Sequence, residues 1–437
     1  MKKGILSFAS LAFLGALMSA QEIKFEEYNL PNGMHVILHQ DNSAPVVTTA
    51  VMYHVGAKDE EVGRSGFAHF FEHLLFEGTK NIKRGDWFKI VSSNGGTNNA
   101  NTTNDRTYYY ETFPSNNFQL GLWMESERLR HPVINQIGVD TQREVVKEEK
   151  RQSRDNRPYG NLLTAIQNNL FIKHPYRWTT IGTMDDLNKA QLSEFQDFFK
   201  KYYTTSNATL VVAGDFKKDQ AKQWINDYFG SIPKTSTVNR NLPKEDPITQ
   251  AKEVSFNDPN IQLPAYLFAY RVPGQKEKDS YTLSMLSNYL SGGKSSVLYK
   301  KLVDKDKKAL EVQAINLGLE DYGIFAFFAI PMGSTTKDAL QSDIDAEITK
   351  LQTTLISDED YQKLQNYFEN QFVNANSSIQ GIAGSLATYH VLYGDTNLIN
   401  KQIEIYRSIT KEDLQNAAKK YLNSNQRVII NYLPEKK

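Results

Sequence analysis

The chain is expected to fold as two similar α+β domains, and three observations predict this. At 437 residues it is longer than one hydrophobic core organises. Strand-like and helix-like apolar patterns are interleaved along its whole length. A helix-turn-strand unit also recurs at an offset of 219 residues, because Lys201-Tyr202 followed by Asn207 to Val212 resembles Lys420-Tyr421 followed by Gln426 to Ile430. In both copies an amphipathic helix ends at Lys-Tyr, a short polar turn intervenes, and a β-branched strand follows. Between the copies, residues 233–250 carry Pro233, Pro243 and Pro247 among polar residues with no apolar period. This stretch reads as a linker and sets the domains at 21–232 and 251–437.

The elements follow in order. Lys2 and Lys3 precede an apolar stretch from Ile5 to Leu17, and Ser19-Ala20 offers small residues for cleavage before Gln21. Residues 1–20 therefore read as a secretory signal peptide, so the mature protein is expected to be exported, and periplasmic in a Gram-negative source. No other stretch is long and apolar enough to span a bilayer, so no membrane insertion is expected once the signal is removed. Lys24 to Tyr28 and Met34 to His39 read as strands of a hairpin turned at Pro31-Asn32-Gly33. Val46 to Val55 is a further apolar run, and Phe118 to Leu129 and Leu162 to Leu170 have helical spacing.

Lys plus Arg equals Asp plus Glu at 50 each, which gives no footprint for nucleic acid or an acidic membrane. Cysteine is absent, so disulfides, cysteine-ligated zinc, a thiol nucleophile and a lipid-anchored cysteine are all excluded. An exported chain of this kind relies on its cores alone.

The most informative stretch is His69-Phe70-Phe71-Glu72-His73. Residues four apart lie one above the other on a helix, so His69 and His73 can hold one metal ion while Glu72 faces the same cavity. The order H-x-x-E-H inverts the commoner H-E-x-x-H and marks the inverzincin metallopeptidases. Ser65 and Gly66 precede the first turn, and Leu74-Leu75-Phe76 with Gly78 read as an apolar helix end with a glycine C-cap. Two histidines and a glutamate inside a short apolar helix are costly to desolvate, and a metal ion would satisfy them.

A catalytic zinc takes three protein ligands, and the segment Gln142 to Glu149 offers the third. Glu149 lies four residues after Val145 and three after Val146, which places it on the apolar face, whereas Glu144 and Glu148 pair on the charged face. Glu149 is the expected ligand.

With these residues in view the chain resembles the pitrilysin/insulinase family, and most closely its mitochondrial-processing-peptidase-like branch. The resemblance rests on His69, Glu72, His73 and a Glu149 lying 76 residues beyond His73, with Gly95-Gly96, Asn99-Ala100, Thr102 and the Ser291-Gly292-Gly293 turn in support. It implies two homologous domains, each a mainly antiparallel sheet covered by helices, shaped like half a clam shell, with one Zn2+ per chain. It also implies that the strand containing Asn98, Asn99 and Ala100 is an edge that holds a peptide substrate by strand addition. Two departures are present. Gln142 stands where the family often has a second glutamate, so its tuning of the ligands around the metal is expected to differ. The stretch Leu302 to Val312 also lacks the arginine and tyrosine with which lone-acting members hold substrate. The resemblance therefore implies the zinc-bearing half of a heterodimer whose related subunit supplies Arg and Tyr, or a homodimer.

Hydrolysis of peptides or unfolded polypeptides is the expected activity, with Glu72 as the proton-transferring group. The competing expectation is a non-catalytic binding or assembly subunit of the same fold. Two other motifs fail. Gly292-Gly293-Lys294-Ser295 has Asn288 where a phosphate loop needs glycine, and Gly63 to Gly66 is one residue short of a serine-hydrolase elbow.

Overall fold

The computed structural model describes residues 22–435; the segment read as a signal peptide lies outside them. The first half forms β1 (Glu26–Asn29), β2 (His35–Gln40), β3 (Val46–Tyr53), β4 (Thr97–Thr102), β5 (Thr107–Pro114) and β6 (Ala208–Gly214), arranged in the order β1-β2-β6-β3-β5-β4. The second forms β7 (Lys252–Asp258), β8 (Ala265–Pro273), β9 (Ala309–Gly318), β10 (Tyr322–Pro331) and β11 (Arg427–Pro434), in the order β7-β11-β8-β10-β9. Both sheets are mainly antiparallel. The parallel pairs are β2 with β6 and β7 with β11.

Once β1 is set aside, the two sheets share one topology. The first strand lies parallel to the last, the last is antiparallel to the second, and the third ends the sheet as an open edge. The helix Leu192–Tyr202 before β6 and the helix Lys411–Tyr421 before β11 begin and end 219 residues apart, as do the first residues of β6 and β11. The repeat read from Lys-Tyr is thus a repeat of structure. The Asn-Gly hairpin is present between β1 and β2, with Gly33 at φ 91°.

Helices cover each sheet. On one face of the first, Phe67, Phe70, Phe71, Leu122, Val139, Phe195 and Ile225 bury against Val36, Val51, Leu210 and Val212. The other face, carrying Ile37, Ala50, Met52, Val211 and Ala213, is closed by the helix Ile379–Thr388 from the second half. Reciprocally, the helix Leu162–Leu170 from the first half lies on Leu267, Ala269, Ile324, Ala326, Val428 and Ile430 of the second sheet. Each half thereby removes from water an apolar sheet face that the other would otherwise expose.

A polar clasp joins the same two halves. The ammonium of the buried Lys58 lies 3.1 Å from Asp105, 2.5 Å from Glu320 and 3.5 Å from Asp321. His54 Nε2 approaches Glu320 to 2.7 Å, and Tyr176 donates its hydroxyl to Asp105. Burial pushes the Glu320 carboxyl up, but the His54 hydrogen bond and the Lys58 charge outweigh it and hold its pKa at about 2.

Candidate metal centre

The histidine helix, Phe67–Leu74, begins at Gly66, whose φ of 95° is left-handed and suits glycine. A Cβ there would stand 2.9 Å from the Ile181 carbonyl. No side chain of the preceding turn caps the helix. The buried Glu60 carboxylate does so instead, accepting from the Gly66 and Ala68 N–H groups at 2.9 Å each. Phe67, Phe70, Phe71 and Leu74 fill the inward stripe, and the first three pack against Phe195 at ring separations of 4.5 to 5.8 Å. His69, Glu72 and His73 then fall on the opposite stripe. The helix ends at Leu74, earlier than the expected glycine C-cap at Gly78. Its end is held by a side chain, because Arg128 Nη1 donates to the Leu75 carbonyl at 3.1 Å.

The second element is the helix Gln136–Lys150, capped by the Asn135 side chain, which accepts from Gly138 N–H at 2.9 Å. Gly138 lies against the histidine helix, where a Cβ would meet Leu74 at an ordinary contact distance of 3.4 Å. Val139 and Val146 are buried, and Glu149, three residues past Val146, reaches the histidines. Val145 corrects the sequence reading: it is 43% exposed, so Val146 alone places Glu149 inward.

Three donor atoms converge. His69 Nε2 and His73 Nε2 are 3.3 Å apart, and the Glu149 carboxylate oxygens lie 3.5 Å from His69 Nε2 and 3.2 Å from His73 Nε2. A tetrahedron whose centre lies about 2.0–2.2 Å from each vertex has edges of roughly 3.3–3.6 Å, so these separations suit a zinc ion. The imidazole planes cross at 85°, which lets both nitrogen lone pairs point at one centre. Hydrogen bonds from His69 and then His73 outweigh burial and hold the Glu149 carboxyl far below its ordinary pKa. His69 is 8% exposed, and its Nδ1 has no hydrogen-bond partner among the described residues. The donor set fits zinc, with Glu72 one residue before His73 on the same helical stripe.

Glu27, His35 and His390 form a second His-His-carboxylate group, and the comparison is instructive. There the rings are stacked 3.6 Å apart and parallel to within 1°, so no single ion lies in both ring planes. The group is satisfied without one. Glu27 meets His35 Nε2 at 3.2 Å and accepts from Thr396 at 2.6 Å, while His390 Nδ1 reaches the Thr396 hydroxyl at 3.3 Å. Burial and the neighbouring His35 press the His390 pKa down to about 4.

Gln142 lies away from the three donors. Its amide donates to Glu77 at 2.5 Å, and Arg84 holds the other oxygen of that carboxylate; Gln142 makes no hydrogen bond to His69, His73 or Glu149. Seven residues separate it from Glu149, which is about 10 Å along a helix axis and beyond reach of the ligands.

Asn98, Asn99 and Ala100 lie on β4, the open edge of the first sheet, beside the histidine helix. Thr103 N–H bonds the Arg106 carbonyl across the hairpin turn, so antiparallel alternation directs the backbone groups of Asn101 and Asn99 toward β5. The outward backbone groups therefore belong to Asn98, Ala100 and Thr102. Asn99 contributes its side chain, which accepts from the Ala100 N–H at 2.9 Å and covers the edge.

Two supporting residues were not legible in the sequence. Glu60 carries no motif. Arg128 offered only an i, i+3 spacing from Glu125, yet it is fully buried and binds Glu125, Glu111 and the end of the histidine helix.

Two mixed sheets of one topology, an inverted H-x-x-E-H helix and a distant glutamate closing a three-donor site define the architecture of an inverzincin metallopeptidase. Comparison with known proteins agrees. Residues 35–184 match the family described as Insulinase (Peptidase family M16), and residues 189–368 match the Peptidase M16 inactive domain. The chain belongs to peptidase family M16. It is 32% identical to the zinc protease PqqE of Helicobacter pylori over 97% of each chain. It is 24% identical to a probable mitochondrial-processing peptidase subunit beta of Arabidopsis thaliana, over 90% of this chain and 75% of that one. The crystal structure of a protease from Helicobacter pylori superposes with a TM-score of 0.89 at 30% identity, covering 94% of this chain and all of that one.

Proposed function

We propose that this protein is an exported zinc metalloendopeptidase acting on peptides or unfolded polypeptides, as the zinc-bearing member of a pair of related subunits. The observation that carries the reading is the convergence of His69, His73 and Glu149 at tetrahedral spacing, with Glu72 beside them and an open strand edge adjacent. Zinc held there supplies Lewis acidity toward a scissile carbonyl and lowers the pKa of water at the site to roughly 7. The protein's own groups do the rest. The β4 edge orients an extended substrate through the backbone groups of Asn98, Ala100 and Thr102, displacing the Asn99 side chain from the Ala100 N–H. Glu72 accepts the proton of the attacking water and delivers it to the leaving amine.

Pairing is supported by the second half, where Leu302 to Val312 supplies neither arginine nor tyrosine, and by the relative named as a beta subunit. Export is supported by the apolar segment after Lys2-Lys3, and among the described residues no helix is long and apolar enough to cross a membrane.

The test is zinc content together with cleavage of a quenched peptide, by the mature chain alone and with a related subunit. Glu72→Gln is expected to abolish turnover with zinc retained, and Glu149→Ala to lose zinc. Zinc binding without cleavage in any combination would leave an assembly subunit in place of an enzyme.

A further inference from the structure

Arg106 closes the β4–β5 hairpin and is half-buried, yet it has no carboxylate within ion-pairing distance among the described residues. Its Nη1 donates to the Asn101 carbonyl at 2.9 Å and to the Asn101 side chain, and among the described residues no other group accepts a hydrogen bond from its remaining N–H donors. The more deeply buried arginines are each paired with a carboxylate, whereas the half-buried Arg143 and Arg154 spend their donors on backbone carbonyls. Arg128 meets Glu111 at 2.9 Å, Arg271 meets Glu245 at 3.0 Å, and Arg427 meets Asp345 at 2.6 Å. The acid next to Arg106 in sequence is turned away, because Asp105 is engaged by Lys58, by the Tyr176 hydroxyl and by the Glu320 N–H. Burial works against the guanidinium's charge, and the adjacent Tyr108, whose ring centre lies 5.8 Å away, followed by the negative fields of Glu72 and Asp105, opposes that effect without forming an ion pair. A partly desolvated cation fixed in place without a counter-charge is costly unless an anionic ligand completes it.

Register says which ligand groups would meet it. Thr103 pairs with Arg106, and strand alternation puts both on the sheet face shared by Asn99, Asn101, Tyr108 and Tyr110. Asn99 and Asn101 are exposed on that face. A strand added along β4 presents every second side chain to the same face, within about 4.5–5.5 Å of its cross-strand neighbour.

Building on the peptidase reading above, we propose that Arg106 is a specificity-determining residue. It receives an aspartate or glutamate side chain of a substrate strand paired with β4, so this protein selects peptides that are acidic close to the scissile bond.

The experiment uses the full mature chain carrying Glu72→Gln, which holds peptide without cutting it, and a labelled peptide series differing only by Glu, Gln or Lys at one position along the strand. Fluorescence anisotropy is expected to show the Glu peptide binding about tenfold to a hundredfold tighter than the Gln peptide at its best position. Arg106→Gln is expected to erase that difference, Arg106→Lys to retain part of it, and Arg106→Glu to favour the Lys peptide. Equal binding of the Glu and Gln peptides at every position, or a preference that survives Arg106→Gln, overturns the proposal. Absence of cleavage by the unsubstituted chain, with charge preference intact, counts against the peptidase reading and leaves the acidic subsite standing.

Discussion

Replacing Arg128 by methionine tests how the histidine helix is held. The guanidinium is fully buried, donates to Glu111 at 2.9 Å, to Glu125 at 3.1 Å and to the Leu75 carbonyl at 3.1 Å, and lies 4.0 to 4.5 Å from the Trp87, Tyr109 and Phe76 rings. Burial, with Glu125 beside it, drives the Glu111 pKa well above the ordinary carboxyl range, and Arg128 opposes that rise. Methionine fills much of the volume but leaves two carboxyls with no cation, so a further proton must be taken up in the folded state. Placing a proton on a carboxyl of ordinary pKa near 4.3 costs about 3.7 kcal/mol at pH 7 and about 1 kcal/mol at pH 5. The first figure falls within the roughly 3–5 kcal/mol expected when one partner of a buried ion pair is removed. The sign follows from linkage. A carboxyl whose folded pKa is raised binds more protons in the folded state, so stability falls as pH rises. Arg128→Met is therefore expected to lose about 4 kcal/mol at pH 7 and much less at pH 5, read from urea midpoints of the first unfolding transition at both pH values. A loss that is independent of pH, or below about 1 kcal/mol at pH 7, would refute this reasoning. Adding Glu111→Gln should restore part of the loss at pH 7.

Three further outcomes are expected. Gly66→Ala should cost at least about 1–2 kcal/mol, from the left-handed backbone and the crowding against Ile181, measured by thermal unfolding, and should weaken zinc binding with it. His73→Ala should reduce zinc in purified protein far below one ion per chain, by elemental analysis, while the fold persists by circular dichroism. Glu320 has a folded pKa of about 2 against an ordinary 4.5, so its contribution is full above about pH 4.5 and fades as pH falls toward 2. That contribution is on the order of 3 kcal/mol. Glu320→Gln should lower stability at neutral pH and flatten the acid limb of an unfolding titration, and an unaltered acid limb would count against the clasp.

The two-domain α+β plan was readable because its signals are local. The Lys-Tyr repeat, the Asn-Gly turn and the inverted histidine motif each depend on a few neighbouring residues whose spacing maps onto helix or strand geometry. Glu149 was separable from Glu148 by helical phase, although Val145, one of the two valines used, faces solvent. Gln142 shows what helical phase leaves open. A spacing of seven keeps a side chain on one helical stripe but moves it two turns along the axis, to Glu77 and away from the histidines.

From its order of residues alone this protein declares two imidazoles and a carboxylate on one short helix, because four positions of α-helix return a side chain to the same line. Bringing Glu149 to them was left to the packing of two helices joined through Gly138 and Leu74. So were the exchange of helices between the sheets, the Glu60 cap and the uncompensated charge of Arg106. Such contacts join residues far apart in the chain, and they form only because burial of apolar faces forces distant segments together, which no local period records.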